Sequence, residues 1–255
     1  MKRQFLLAIT AILFNATGFA QDANHNKGGA YTKKCSYNLV GEGDTQYNLS
    51  DKSVLDRILF GSTNSLVEYV FQASLDQPSV LALRIVNEGP ETYRLETLTM
   101  KNREEVAKMI QEVSAETGRI NVPGKLQAQL PMEVMEKIRE HNKNVRRNSL
   151  SDEPYKSYRP EPKSFNISPA LAEKLHEKTA LLTKNFTGKG SQRLIADGNT
   201  VTYRCITGDE VRSLTVHSPQ SGAQQLSDVC LEIIRSYGTA DNDEHYIKLL
   251  DKITL

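Results

Sequence analysis

The spacing of apolar residues changes several times along this 255-residue chain, and each change marks a different element. From Phe5 to Phe14 the chain is nearly unbroken apolar, behind Lys2 and Arg3 and ahead of Thr17, Gly18, Phe19 and Ala20. Polar, glycine-rich chain follows and predicts a flexible leader over 21–48. Helical spacing appears first at Val54, Leu55, Ile58 and Leu59, with Ser50 as the expected cap and Gly61 as the stop. Residues 66–73, 80–86 and 93–100 then alternate as extended chain, divided by turn residues around Pro78 and Gly89, which predicts a three-stranded antiparallel meander. In its third strand Arg94 and Glu96 alternate with Tyr93, Leu95 and Thr97, so one face reads as polar and solvated.

Helical period returns from Asn102, with Val106, Met109, Ile110 and Val113 on one stripe until Gly118, and again after Pro131 through Val134, Met135 and Ile138. Between His141 and Lys163 apolar residues nearly vanish, while Arg146, Arg147, Lys156, Arg159 and Lys163 alternate with Ser, Asn and Pro; this reads as a linker or exposed loop. Ser168 and Pro169 form the clearest helix start, an N-cap followed by proline at the first helical position, and Leu171, Leu175, Leu182 and Phe186 trace its apolar face. A second meander is expected from 193–196, 201–207 and 211–217, with turns at Asp197-Gly198-Asn199 and at Gly208-Asp209. After Ser218 and Pro219, the residues Leu226, Val229, Cys230, Ile233 and Tyr237 predict a helix closed by Gly238, and Tyr246, Ile247, Leu249 and Leu250 a final turn that docks or frays.

Each half repeats the order helix, three strands, helix, and each is too small for a comfortable core of its own. The expected fold is therefore α+β: two antiparallel three-stranded meanders with flanking helices sharing one core. The expected domain spans 49–240, from halves 49–100 and 165–240 with a helical insertion and linker over 101–164, and ends in a tail over 241–255.

Composition sharpens this picture mainly at the N-terminus. A positive start, a ten-residue apolar run and small residues before Gln21 form the tripartite pattern of a secretory signal, cleaved after about Ala20. The run is too short for a bilayer span of about 20 apolar residues, so no stable membrane insertion is expected. Cleavage removes Lys2 and Arg3 and moves the formal charge from +1 to -1, which offers no attraction to nucleic acid. The expected location is periplasmic or secreted. There Cys205 and Cys230, placed on the inner faces of a strand and of the helix that covers it, form the preferred disulfide pair; two buried free thiols are the alternative.

The strand residues Val80, Leu81, Ala82, Leu83, Arg84, Ile85 and Val86, followed by Tyr93, Arg94, Leu95 and Glu96, carry a resemblance. So do the residues from Ala196 to Tyr203 and the pair Ser218-Pro219 ahead of 226–234. Together they resemble a group of small exported bacterial proteins of unknown function. The resemblance implies export and the α+β order, and it carries over no catalytic role.

Candidate chemistry is sparse. His217 and Ser218, beside Asp197 and Asp209 at strand ends, are the one local grouping with the residue types of a serine hydrolase, without a Gly-x-Ser-x-Gly turn. Cys205 or Cys230 with His217 would make a thiol nucleophile, but both cysteines fall on apolar faces. His25, His141, His176, His217 and His245 are scattered singly, which predicts no metal site, and His176 reads as a surface partner of Glu173 or Glu177. Glycine-rich segments at Gly41 and Gly188 lack phosphate-loop spacing, so no cofactor is expected. The sequence thus points to a binding or interaction module for a protein or glycan partner in the envelope or outside the cell. The alternative is a hydrolase whose residues come from distant positions.

Overall fold

Backbone hydrogen bonds join seven strands into a single antiparallel sheet in which stretches far apart in the chain lie side by side. The computed structural model describes residues 30–36, 38–40, 44–46, 52–61, 65–73, 80–147, 151–187, 198–208, 210–238 and 243–255. The N-terminal apolar run, the expected strand over 193–196, Asp197 and Asp209 lie outside the described residues.

The strands are β1 (Ala30–Ser36), β2 (Asn38–Val40), β3 (Asp44–Gln46), β4 (Val67–Gln72), β5 (Val80–Gly89), β6 (Thr92–Met100), β7 (Lys163–Ile167), β8 (Thr200–Thr207) and β9 (Glu210–His217). The helices are α1 (Val54–Phe60), α2 (Arg103–Thr117), α3 (Gly124–Gln127), α4 (Met132–Arg147), α5 (Glu153–Lys156), α6 (Pro169–Asn185), α7 (Ser221–Ser236) and α8 (Asp243–Asp251). The main sheet runs β1-β9-β8-β4-β5-β6-β7, and β2 and β3 form a separate hairpin. The fold is α+β, and the two halves share a sheet because β4 pairs with β8, Val67 standing opposite Cys205 and Gln72 opposite Thr200.

Period-2 alternation sends each strand's residues to two different cores. One face collects Tyr69 and Phe71 of β4, Leu83 and Ile85 of β5, Tyr203 of β8 and Leu214 of β9, and α6, α7 and α8 cover it. Ser168 caps α6 by accepting the Leu171 N–H, with Pro169 at the first position, and Leu171 and Leu175 are fully buried. The final helix docks: Tyr246 and Leu250 of α8 enter this core.

The opposite face differs from expectation. Val70, Val80, Ala82 and Leu98 pack beneath Leu55, Leu59 and Phe60 of α1, with Val106 and Ile110 of α2 against them. The face of β6 that reads as solvated is therefore covered there, and Glu96 is buried on it. The cap of α1 is Ser53 rather than Ser50: its hydroxyl accepts the Asp56 N–H while the Asp56 carboxylate accepts the Ser53 N–H. This reciprocal pair satisfies two first-turn donors that a lone cap cannot.

Three further segments depart from the polar readings. Part of the leader, β1, pairs with β9 along its whole length, Ala30 opposite Val216 and Ser36 opposite Glu210. At the other edge β7 pairs with β6. Within the expected linker, α5 docks on α1 and α2, because Tyr155 is buried with Ile58 and Val113. Arg57 lies over the Tyr155 ring, 4.0 Å from its centroid, and donates to its hydroxyl at 2.8 Å. Arg159 also turns inward and donates to the Ile58 carbonyl at 3.0 Å, so one of the basic residues taken for a solvated run is an anchor.

Candidate functional site

Two polar constellations stand out, one sealed and one open. The sealed one lies along the middle of one register row, on β9, β8, β4, β5 and β6: Ser213, Arg204, Glu68, Arg84 and Glu96. Opposite charges face each other on neighbouring strands at its centre, the favourable cross-strand arrangement. The Glu68 carboxylate accepts from Lys52 Nζ at 2.9 Å, from the Ser65 N–H at 3.1 Å and from Arg204 at 3.4 Å. Arg204 also reaches Asp56 at 3.3 Å, and Arg84 binds Glu96 at 2.5 Å and the Phe60 carbonyl at 3.0 Å. The side chains of Lys52, Glu68 and Arg204 are only 1%, 2% and 3% exposed, so no substrate reaches them. Burial lowers the Lys52 amine's pKa, and the Glu68 carboxylate pulls it back up. This row fastens α1 to the sheet; its chemistry is used up within the fold.

The open constellation lies where β9 ends and α7 begins. His217 stands opposite Thr200 in the β8–β9 register, and its Nδ1 lies 3.0 Å from Thr200 Oγ1. Ser218 follows with φ +49°, donating its N–H to the Asn199 carbonyl at 2.7 Å, and Ser221 has φ +51°. Two non-glycine residues in the left-handed region within four positions mark a connection held in an uncommon shape, at about 1–2 kcal/mol each. Gly198 explains how the side chains converge. A Cβ placed there would overlap Ser218 Oγ and stand 2.6 Å from His217 Nε2, so both polar atoms crowd the same bare point on the backbone.

Ser218 also lines a cavity of about 320 Å³ between the C-terminal end of α6, the last turn of β9 and the start of α7. Leu181, Leu182, Phe186 and Val216 give it an apolar wall, and among the described residues lining it there is no ionisable side chain. Ser221, Gly222 and Ala223, the first turn of α7, line it too, and Gln220 gives that helix no side-chain cap. Such first-turn N–H groups have no carbonyl one turn back to bind.

The candidate residues therefore separate. His217 and Ser218 are brought together at Gly198, while Asp197 is outside the described residues. The preferred disulfide does not form: Cys205 and Cys230 are both free and buried. Two positions before Cys205 in β8, the Tyr203 hydroxyl donates to the Ala223 carbonyl of α7, whereas Cys205 Sγ lies 3.5 Å from Thr183 Oγ1 of α6. Cys205 is thus under a different helix from the one that carries Cys230. Burial pushes both thiols' pKa values up, strongly for Cys230. The pairing of Cys205 with His217 is excluded by register, because Thr200, opposite His217, and Cys205 are five residues apart on one strand and face opposite sides.

His176 is a latch rather than a surface ion pair, its Nε2 lying 2.5 Å from the Ile206 carbonyl. Among the described residues no group of three or more His, Cys, Asp or Glu is placed to hold a metal ion, and no helix is long and apolar enough to cross a membrane. The roles of Gly198 and Thr200 were not signalled by their residue types, since Gly198 reads only as a turn glycine. Compared with known proteins, the chain matches no family model, no curated protein and no solved structure, so the chemistry of its own residues is what bears on its role.

Proposed function

We propose that this protein is an exported bacterial binding module, delivered to the periplasm or the exterior by the segment ending near Ala20. There it receives a compact uncharged group of an envelope or extracellular partner, protein or glycan, in the cavity beside Ser218. The observation that carries this reading is the cavity itself: concave, about 320 Å³, walled by apolar side chains and edged by hydroxyl and amide groups. That combination of apolar lining and few orienting polar groups is the usual character of a small-ligand site. The interior charges give further support, since they are engaged with one another and leave binding to the uncharged corner.

Calorimetric titration of the purified exported protein with a panel of neutral oligosaccharides and capped dipeptides tests the reading. Leu181 lines the cavity and is 37% exposed, so Leu181→Arg places a charge at its mouth without disturbing the core. Binding that is lost in this variant supports the assignment; binding that is unchanged in it moves the site elsewhere. For the location, N-terminal sequencing of fractionated cells should find a chain beginning at about Gln21, and a stable cytosolic chain retaining Met1 overturns export.

A further inference from the structure

We infer that the cavity beside Ser218 receives an N-acetylated amino sugar, with the acetamido methyl on its apolar floor and the sugar hydroxyls at its rim. This deepens the binding reading and rests on it, because it names the group that the cavity takes. Leu182, Val216 and Ala223, which are 5%, 1% and 2% exposed, make a floor that favours a small apolar group over water. Phe186, at the C-terminal end of α6, adds a flat aromatic wall. Around these stand uncharged hydrogen-bonding side chains, the amides of Asn185 and Gln220 and the hydroxyls of Ser218 and Ser221.

Two features of the backbone suit the acetamido group itself. The first turn of α7 borders the cavity, and its N–H groups, which have no carbonyl one turn back, are donors for the acetamido oxygen. Gly222 in that turn has no side chain, and Thr254 and Leu255 take the space: a Cβ there would stand 2.6 Å from the Thr254 carbonyl oxygen and 2.7 Å from Leu255 Cδ2. These two residues close one side and hold the cavity to about 320 Å³, near the lower end of small-molecule sites and suited to one compact group.

Other chemistries match less of this lining. An alkyl chain would cover the hydroxyl and amide groups without pairing them, at a cost for each. A charged group would be desolvated with no ionisable side chain, among the described residues lining the cavity, to meet it. A sugar without the acetamido group would set hydroxyls or water on the buried floor. A capped peptide carries the methyl and the amide but no ring of hydroxyls, and no flat ring face for Phe186. The N-acetylated sugar satisfies floor, wall and rim together.

Calorimetry on the purified full exported chain tests this with tri-N-acetylchitotriose, with cellotriose, which keeps the linkage and lacks the acetamido groups, and with N-acetylalanine methylamide. Tri-N-acetylchitotriose should bind at least about tenfold more tightly than either, the discrimination that one small apolar group supplies in a fitted pocket. The disaccharide of N-acetylglucosamine with N-acetylmuramic acid, run alongside, distinguishes a bacterial wall strand from a chitin-like chain as the source, and binding of either supports the inference. Ala223→Val narrows the floor and should bring the ratio of the two trisaccharides toward one, with a thermal melt confirming the fold. Phe186→Leu removes the ring and should weaken both trisaccharides by about 2–10-fold. Equal or tighter binding of cellotriose or of the capped alanine, still lost in Leu181→Arg, overturns the sugar assignment and leaves the binding reading standing, as does an unchanged ratio in folded Ala223→Val. Binding of no N-acetylated sugar also overturns it; if the wider neutral panel fails too, or binding survives Leu181→Arg, the binding reading falls with it.

Discussion

Replacing Arg204 by methionine should destabilise the protein far more than an ordinary surface substitution. Arg204 is 3% exposed and lies between two carboxylates, 3.4 Å from Glu68 and 3.3 Å from Asp56. Methionine fills much of the same space but leaves those carboxylates with fewer compensating donors. Glu68 keeps Lys52 and the Ser65 N–H, and Asp56 keeps the Ser53 N–H and hydroxyl. Stranding one side of a buried ion pair costs about 3–5 kcal/mol. With a urea slope of about 2 kcal/mol per molar, the midpoint should fall by roughly 1.5–2.5 M at unchanged slope. Equilibrium urea unfolding followed by circular dichroism reads this directly. The quadruple variant Lys52→Met, Asp56→Asn, Glu68→Leu, Arg204→Met removes all four central charges together and should be more stable than the single variant, because no ion is left unpaired at the centre. A single-variant loss below about 1 kcal/mol, the range of an exposed pair, would refute the view that the row is a desolvated fastening.

Stability should decline as pH rises above about 9. Burial raises the pKa of Cys205 and Cys230 above 9.0 and of Tyr69 and Tyr203 well above 10.0, so the folded state holds protons that the unfolded chain releases. Each such group contributes stability that is intact below its unfolded pKa and is lost at up to about 1.4 kcal/mol per pH unit above it. Lys52, whose pKa is lowered, acts in the opposite sense below its unfolded 10.5, and one group against four leaves the slope negative; a flat or rising melting temperature between pH 9 and 11 contradicts this balance. Iodoacetamide should leave Cys205 and Cys230 unmodified in the native protein and alkylate both after unfolding without reductant, whereas a peptide containing the two joined would contradict their free state. Gly61→Ala should lower stability by about 1–2 kcal/mol from backbone strain alone, because Gly61 has φ +74°, with added crowding from Arg159 and Asp152, which a new Cβ would meet at 2.7 and 2.8 Å. A thermal melt that matches wild type would rule that crowding out.

Local chemistry made much of the fold legible. Ser168 and Pro169 announce α6, and the apolar stripe from Leu226 to Ile233 announces α7, because capping and helical period are written within a few residues of each other. The edge strands were hidden for a physical reason. In β1, Lys33 and Lys34 sit among Tyr31, Thr32 and Ser36, and in β7 Lys163, Ser164 and Asn166 outnumber the apolar residues, the composition edges use against unwanted pairing and one that resembles loop. Alternation in β6 identified the side of Glu96 but not that α1 and α2 cover it, since coverage is a tertiary fact. The convergence of Gly198, His217 and Ser218 is likewise set by strand register, and neither Gly198 nor Thr200 carries a signal in its identity alone.

The β4–β8 pairing has a consequence for how the chain comes to be folded at all. Glu68 and Arg204 are 136 positions apart, yet each is a principal counter-ion of the other in the middle of the sheet. Closing so long a loop costs entropy before any contact rewards it, and topologies rich in distant pairings are slow to form. A ribosome or a translocation pore that had released only the first 200 residues would hold a chain whose central strand still lacked its neighbour. Closing the whole sheet must therefore wait until β8 is free, whereas the layer of α1 and α2 on β4, β5 and β6, whose members all lie within residues 55–110, can gather earlier.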